Sequence, residues 1–166
     1  MIRMTDYQTL IGQDVQIAQN KFTASAEVAL APPHPHGIRI TGLQLKLAYD
    51  GAGGGAALNP PGTLYFFRSD PAIAAATGST ALTVAQLNEI VGKLVVAATD
   101  WENLAADLAE LAHFGGMWVG EDSEHLRMPG FPSFWVDFLY TGATTINSAA
   151  GDQEVLSLRL FYDVGF

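Results

Sequence analysis

The chain predicts a mainly β protein, an antiparallel β-sandwich of about seven or eight strands with one or two short helical insertions. Three observations predict it. Two segments near the end, S-F-W-V-D-F-L-Y (Ser133–Tyr140) and E-V-L-S-L-R-L-F-Y-D (Glu154–Asp163), alternate in the period-two manner of long strands. Several shorter apolar runs precede them, punctuated by Gly- and Pro-rich turns. Charged residues make up only 15% of the 166 residues against 49% hydrophobic ones, which suggests a surface covered in part by other subunits.

Residues 1–20 are polar and weakly patterned. They are expected to be an N-terminal arm or an edge strand with Val15 and Ile17 packed inward, ahead of one β-sandwich domain over 21–166. Phe22, Ala24, Ala26, Val28 and Leu30 share one parity and predict a half-buried strand. The run A-P-P-H-P-H-G (31–37) ends it, because proline cannot donate to a sheet ladder. Ile38 and Ile40 continue on one face, and Leu43, Leu45, Leu47 and Tyr49 take the opposite parity. The switch falls at Gly42, where a β-bulge or bend is expected.

The stretch D-G-A-G-G-G-A-A (50–57) reads as a flexible loop, and N-P-P-G (59–62) as a turn. T-L-Y-F-F-R (63–68) is apolar on both faces and so predicts a covered strand. Asp70 followed by Pro71 suggests the start of a helical turn. T-V-A-Q (83–86) fits a capping box ahead of Leu87, Ile90 and Val91, and predicts a helix of two or three turns. K-L-V-V-A-A (93–98) is β-prone. From Asp100, the spacing of Leu104, Leu108 and Leu111 predicts a second helix. G-G-M-W-V (115–119) resumes a strand, and M-P-G-F-P (128–132) breaks the chain before the final pair. An eight-stranded jelly roll suits this count of strands best.

Bulk properties narrow the function classes. There is no cysteine, so no disulfide framework or thiolate metal site exists, and a reducing compartment is the simpler expectation. No apolar run reaches the ~18 residues needed to span a bilayer, and the start lacks the basic-then-apolar plan of a signal peptide. A soluble protein made in the cytoplasm, with no membrane partner, is therefore expected. The net charge is −9. Residues 61–166 carry thirteen acids and four bases, while residues 1–60 carry four of each. Nucleic acid is not an expected partner, since binding it needs a basic footprint.

No pattern carries a chemistry, and no enzyme activity and no cofactor are expected. His34 and His36 could share a strand face around a metal, but no acid follows until Asp50, so a polar Pro-rich loop is the better reading. From Asp100 to Glu124 there are seven acids and no Lys or Arg. The densest part, Glu121–Glu124, lacks the alternating ligands and tight-turn glycine of a calcium loop and reads as an acidic face. Residues 51–55 lack the P-loop signature, and Ser69 and Ser133 lack a nucleophile elbow. The catalytic, cofactor and metal sites are thus expected to be none. In Ser133–Tyr140, Phe134, Val136, Phe138 and Tyr140 are expected to face the core, and Trp135, Asp137 and Leu139 the other side. That second face, at Trp135 and Leu139, and the loop at Pro32, Pro33 and Pro35 are the candidate subunit contacts. An aromatic platform for a sugar is the alternative use of the same rings.

The runs Leu64–Leu87, Lys93–Trp101 and Gly151–Asp163 resemble small virion proteins of tailed bacteriophages, in a general layout covering roughly residues 37–166. Glu102–Glu124, rich in alanine and acids, departs from that layout. The resemblance implies a capsid decoration (cement) protein, located in the virion. It implies self-association, commonly as a homotrimer, and contact with a major capsid protein. It carries over no functional residues. A carbohydrate- or receptor-binding jelly roll of a phage tail or spike is the alternative reading.

Overall fold

The computed structural model describes residues 2–13, 15–30, 38–49, 59–73, 81–105, 108–114, 118–119, 126–128, 133–148 and 153–164. In chain order its strands are β1 (Ile2–Met4), β2 (Gln8–Ile11), β3 (Lys21–Phe22), β4 (Ala26–Ala29), β5 (Ile38–Tyr49), β6 (Gly62–Phe67), β7 (Ile90–Val96), β8 (Glu102–Ala105), β9 (Leu108–Phe114), β10 (Trp118–Val119), β11 (Leu126–Met128), β12 (Ser133–Tyr140) and β13 (Glu154–Val164). One short helix, α1 (Val84–Asn88), and a 3-10 turn at Ala98–Asp100 interrupt them.

The strands form two antiparallel sheets. The first runs β1-β13-β5-β9-β8, with β2 beside β1 on β13 and β11 on β5. The second runs β10-β7-β6-β12-β3, with β4 beside β3 on β12. The eight main strands are β2, β4, β5, β6, β7, β9, β12 and β13. Numbered one to eight, they lie in the order 1-8-3-6 in one sheet and 2-7-4-5 in the other. Six of their seven connections pass between sheets, and β6–β7 alone stays within one. This is a jelly roll. The count of strand segments exceeds the expected seven or eight because short pieces (β1, β3, β8, β10, β11) extend the edges.

The inward faces make one core. Ile38, Ile40, Leu43, Leu45 and Leu47 of β5, with Leu156, Leu158, Leu160 and Tyr162 of β13, meet Leu64, Phe66, Phe134, Val136 and Phe138 of the second sheet. Each such side chain contributes about 1.5–3 kcal/mol by leaving water. The parity switch in β5 is a bulge: Phe161 pairs with Gly42 but Tyr162 with Ile40, so Thr41 is the extra residue. Both halves of β5 thereby keep their apolar side chains inward. A second bulge, on β2, lets adjacent Leu10 and Ile11 both enter the core.

Three local expectations fail. The helix expected from Asp100 is instead the 3-10 turn followed by β8 and β9. Leucine spacing favours a helix there, but β9 pairs with β5 along seven residues, and ladder formation overrides propensity. The capping box at Thr83 is present, with Gln86 N donating to Thr83 Oγ1 at 3.2 Å and Thr83 N to Gln86 Oε1 at 2.8 Å. Its helix nevertheless ends at Asn88, and Ile90 and Val91 belong to β7. Asp70 starts no helix among the described residues. Its Oδ1 accepts from Ala72 N at 2.7 Å, and Ala72 stands at φ 53°.

Candidate functional site

The feature that departs most from a plain sandwich lies on the outer face of the second sheet. β12 alternates as expected, with Phe134, Val136, Phe138 and Tyr140 in the core. The expected strand Phe22–Leu30, however, is broken. Phe22 pairs with Leu139 and Ala26 with Val136, so three residues, 23–25, oppose two, Asp137 and Phe138. This bulge reverses the parity of the strand. Val28 faces the core, whereas Phe22 turns to the outer face, its ring 5.9 Å from that of Tyr65. The reading that placed Phe22 and Val28 on one face is therefore corrected. Thr23 holds the bulge open: its N donates to Phe138 O at 2.9 Å and its Oγ1 accepts from Phe138 N at 3.0 Å.

The bulge points Ser25 at Asp137, whose Oδ2 accepts from Ser25 Oγ at 3.2 Å. Ser25 also grips residues 70–73 of the β6–α1 connection. Ser25 N donates to Ile73 O at 3.1 Å, and Ile73 N donates to Ser25 Oγ at 3.1 Å. From the other side, Gln86 Nε2 of α1 donates to Pro71 O at 2.8 Å. Pro71 is buried. Asp137 thus sits on the outward face of its strand and is still 0% exposed. Phe67, also on this face beside Tyr65 (6.3 Å between rings), is fully buried as well, as the two-sided hydrophobicity of 63–68 predicted.

Burial is the main force on the Asp137 carboxyl, raising its pKa from 3.8 to about 7. The Ser25 hydrogen bond lowers it, and the charge of Asp70 raises it further. Among the described residues its Oδ1 has no hydrogen-bond partner. The arrangement can exchange a proton near neutrality. Among the described residues no group of three or more histidines, aspartates and glutamates could hold a metal.

Of the candidate contacts, Trp135 and Leu139 flank Asp137 on the outer face of β12, and both are half-buried. Trp135 pairs laterally with Phe67 of β6 and Glu27 of β4. Pro32, Pro33 and Pro35, with His34 and His36, lie outside the described residues, as do Asp107, Glu121, Asp122 and Glu124. Glu102 and Glu110 are register partners on β8 and β9. Sequence reasoning placed Asp137 on the right face but missed Ser25, Asp70 and Ile73. The available signal was an acid in the middle of an apolar strand, a position where a carboxylate must find a partner or take up a proton.

A second polar device is structural. Asn147, buried at φ 53°, lies in the loop between β12 and β13. Its Nδ2 donates to Gly12 O (3.2 Å), Val15 O (3.1 Å) and Glu154 O (3.0 Å), and its Oδ1 accepts from Glu154 N (2.7 Å). The neighbouring Ile146 bridges to Ile17, both in the core.

No family model and no curated protein matches the chain. Among solved structures it is similar to the decameric BFDV capsid protein, at 12% identity over 100% of each chain and a TM-score of 0.34. It is similar also to the 60-mer BFDV capsid protein, at 13% identity over 98% of this chain and 92% of that one, with a TM-score of 0.30. At these scores the likeness establishes neither fold nor function, and the jelly-roll assignment rests on strand order alone.

Proposed function

We propose that this chain is a virion structural protein, a capsid decoration (cement) subunit of a tailed phage that associates with copies of itself and with the major capsid protein. The observation that carries the reading is the strand order, since jelly rolls are the architecture of many capsid domains. The surface supports self-association. Ile2, Met4, Val84, Leu87, Val95 and Leu104 are each more than half exposed, in a chain with only 15% charged residues. Apolar contact supplies the affinity in such assemblies, while polar rims set the register. In this reading the outer face at Trp135 and Leu139 contacts a neighbouring subunit, and the complex forms a trimer. A sugar platform fits this face less well, because Phe22 and Phe67 are buried and offer no open ring to stack on.

Light scattering on the purified protein, with co-sedimentation against tailed-phage capsids, tests the proposal. A trimer that pellets with capsids is expected. A monomer indifferent to capsids would remove it. Trp135→Ala should fold normally and lose assembly; unchanged assembly with unchanged folding would clear this face of a contact role.

A further inference from the structure

Ser25 has a single hydroxyl proton and two acceptors in reach, Asp137 Oδ2 at 3.2 Å and Ile73 O at 3.5 Å. When Asp137 is neutral, its own O–H can donate to Ser25 Oγ. Ser25 then donates to Ile73 O while still accepting from Ile73 N, and every group in the chain of bonds is satisfied. When Asp137 is ionised, the Ser25 proton must turn to the carboxylate. Ile73 O loses its side-chain bond, and a buried anion is left with one donor and an unpartnered Oδ1. Such an anion is stabilised by water. The core closes off the inner side of β12, and on the outer side Ser25 links the carboxyl to residues 70–73, so water is expected to reach it by displacing that segment.

We propose that residues 70–73 are a proton-controlled clasp over the outer face of the second sheet, closed when Asp137 is protonated and opened when it is ionised. The clasp is built to move. Ala72 holds a left-handed conformation that alanine adopts only at a cost. Asp70 and Ala72 are exposed; Ser25 ties Ile73 to the sheet, while buried Pro71, held by Gln86 of α1, stays as the pivot.

The charged surroundings agree. Tyr65 of β6 is the register neighbour of Asp137, with Lys93 of β7 beyond it. On β4, Glu27 accepts from Ser133 Oγ at 2.6 Å. Within the clasp the only ionisable group is Asp70, whose charge favours the protonated form of Asp137. Arg68, just ahead, is engaged with Glu89 at 3.5 Å. Burial places the carboxyl near pKa 7, so the change falls at neutral pH.

Nuclear magnetic resonance on the whole protein between pH 5.5 and 8.5 tests this directly. The carboxyl carbon of Asp137 reports its ionisation, and amide exchange, corrected for the intrinsic pH dependence, reports protection at Ile73 and Ser25. Protection at Ile73 should fall about fivefold, the worth of one hydrogen bond, with the midpoint of Asp137. In Asp137→Asn, whose amide donates to Ser25 at every pH, protection should stay high and flat. Ser25→Ala should leave Ile73 weakly protected throughout. The proposal is overturned if Asp137 titrates while Ile73 protection stays constant, if Ile73 responds equally in Asp137→Asn, or if Asp137 titrates in the ordinary carboxylate range.

Discussion

Raising the pH should destabilise this protein through one residue. The carboxyl of Asp137 has a pKa of about 7 in the folded chain against 3.8 for an unperturbed aspartate. Between those values the folded state holds a proton that the unfolded state has released. Stability therefore falls as pH rises, by up to about 1.4 kcal/mol per unit, and levels off above the folded pKa. The contribution is complete below about pH 4 and gone above about pH 7. Over the whole window this is about 4 kcal/mol, and from pH 5 upward about 3 kcal/mol remains to be lost. Against a typical total of about 5–15 kcal/mol, that is a large share. Opening of the clasp admits water and trims the loss toward about 2 kcal/mol. The assay is urea unfolding of the native chain and Asp137→Asn at pH 5, 6, 7 and 8. Other carboxylates act alike in both, so the difference between the two curves isolates Asp137. The variant should gain about 2–3 kcal/mol on the native chain between pH 5 and pH 8. A difference that stays constant across that range would refute the argument.

Asn147→Ala should cost about 4 kcal/mol, since it removes every side-chain bond to Gly12, Val15 and Glu154 and leaves buried groups unpaired; a shift in the urea midpoint measures it, and a loss under about 1 kcal/mol would discount the network. Gly62→Ala should destabilise by at least about 2 kcal/mol, because the added methyl would overlap Leu139 O and the Phe138 ring; an unchanged melting temperature would contradict it. Trp135→Ala should cost about 1–3 kcal/mol, because its side chain is half-buried on the outer face, and should abolish assembly while the variant still folds; full stability or unchanged assembly would contradict it.

The sequence alone determined whatever depends on neighbours along the chain. Alternation located β12 to the residue and set the start of β13 at Glu154. Parity placed a bulge or bend at Gly42, next to the extra residue Thr41, and one threonine with one glutamine located the start of α1. These follow from side-chain period and capping, which are local. Tertiary structure decided the rest. The leucines at 104, 108 and 111 suit a helix, and only pairing with β5, some sixty residues earlier, makes strands of that region. Phe22 shares parity with Val28, and only the register against β12 shows that a bulge turns it outward. Asp137 lies on an outward face in any reading of β12. Its partner is a serine more than a hundred residues away, which also holds Ile73 of a third segment. In a jelly roll most strand partners are distant in sequence. The environment that sets a side chain's charge is assembled by long-range pairing, and no local period records it.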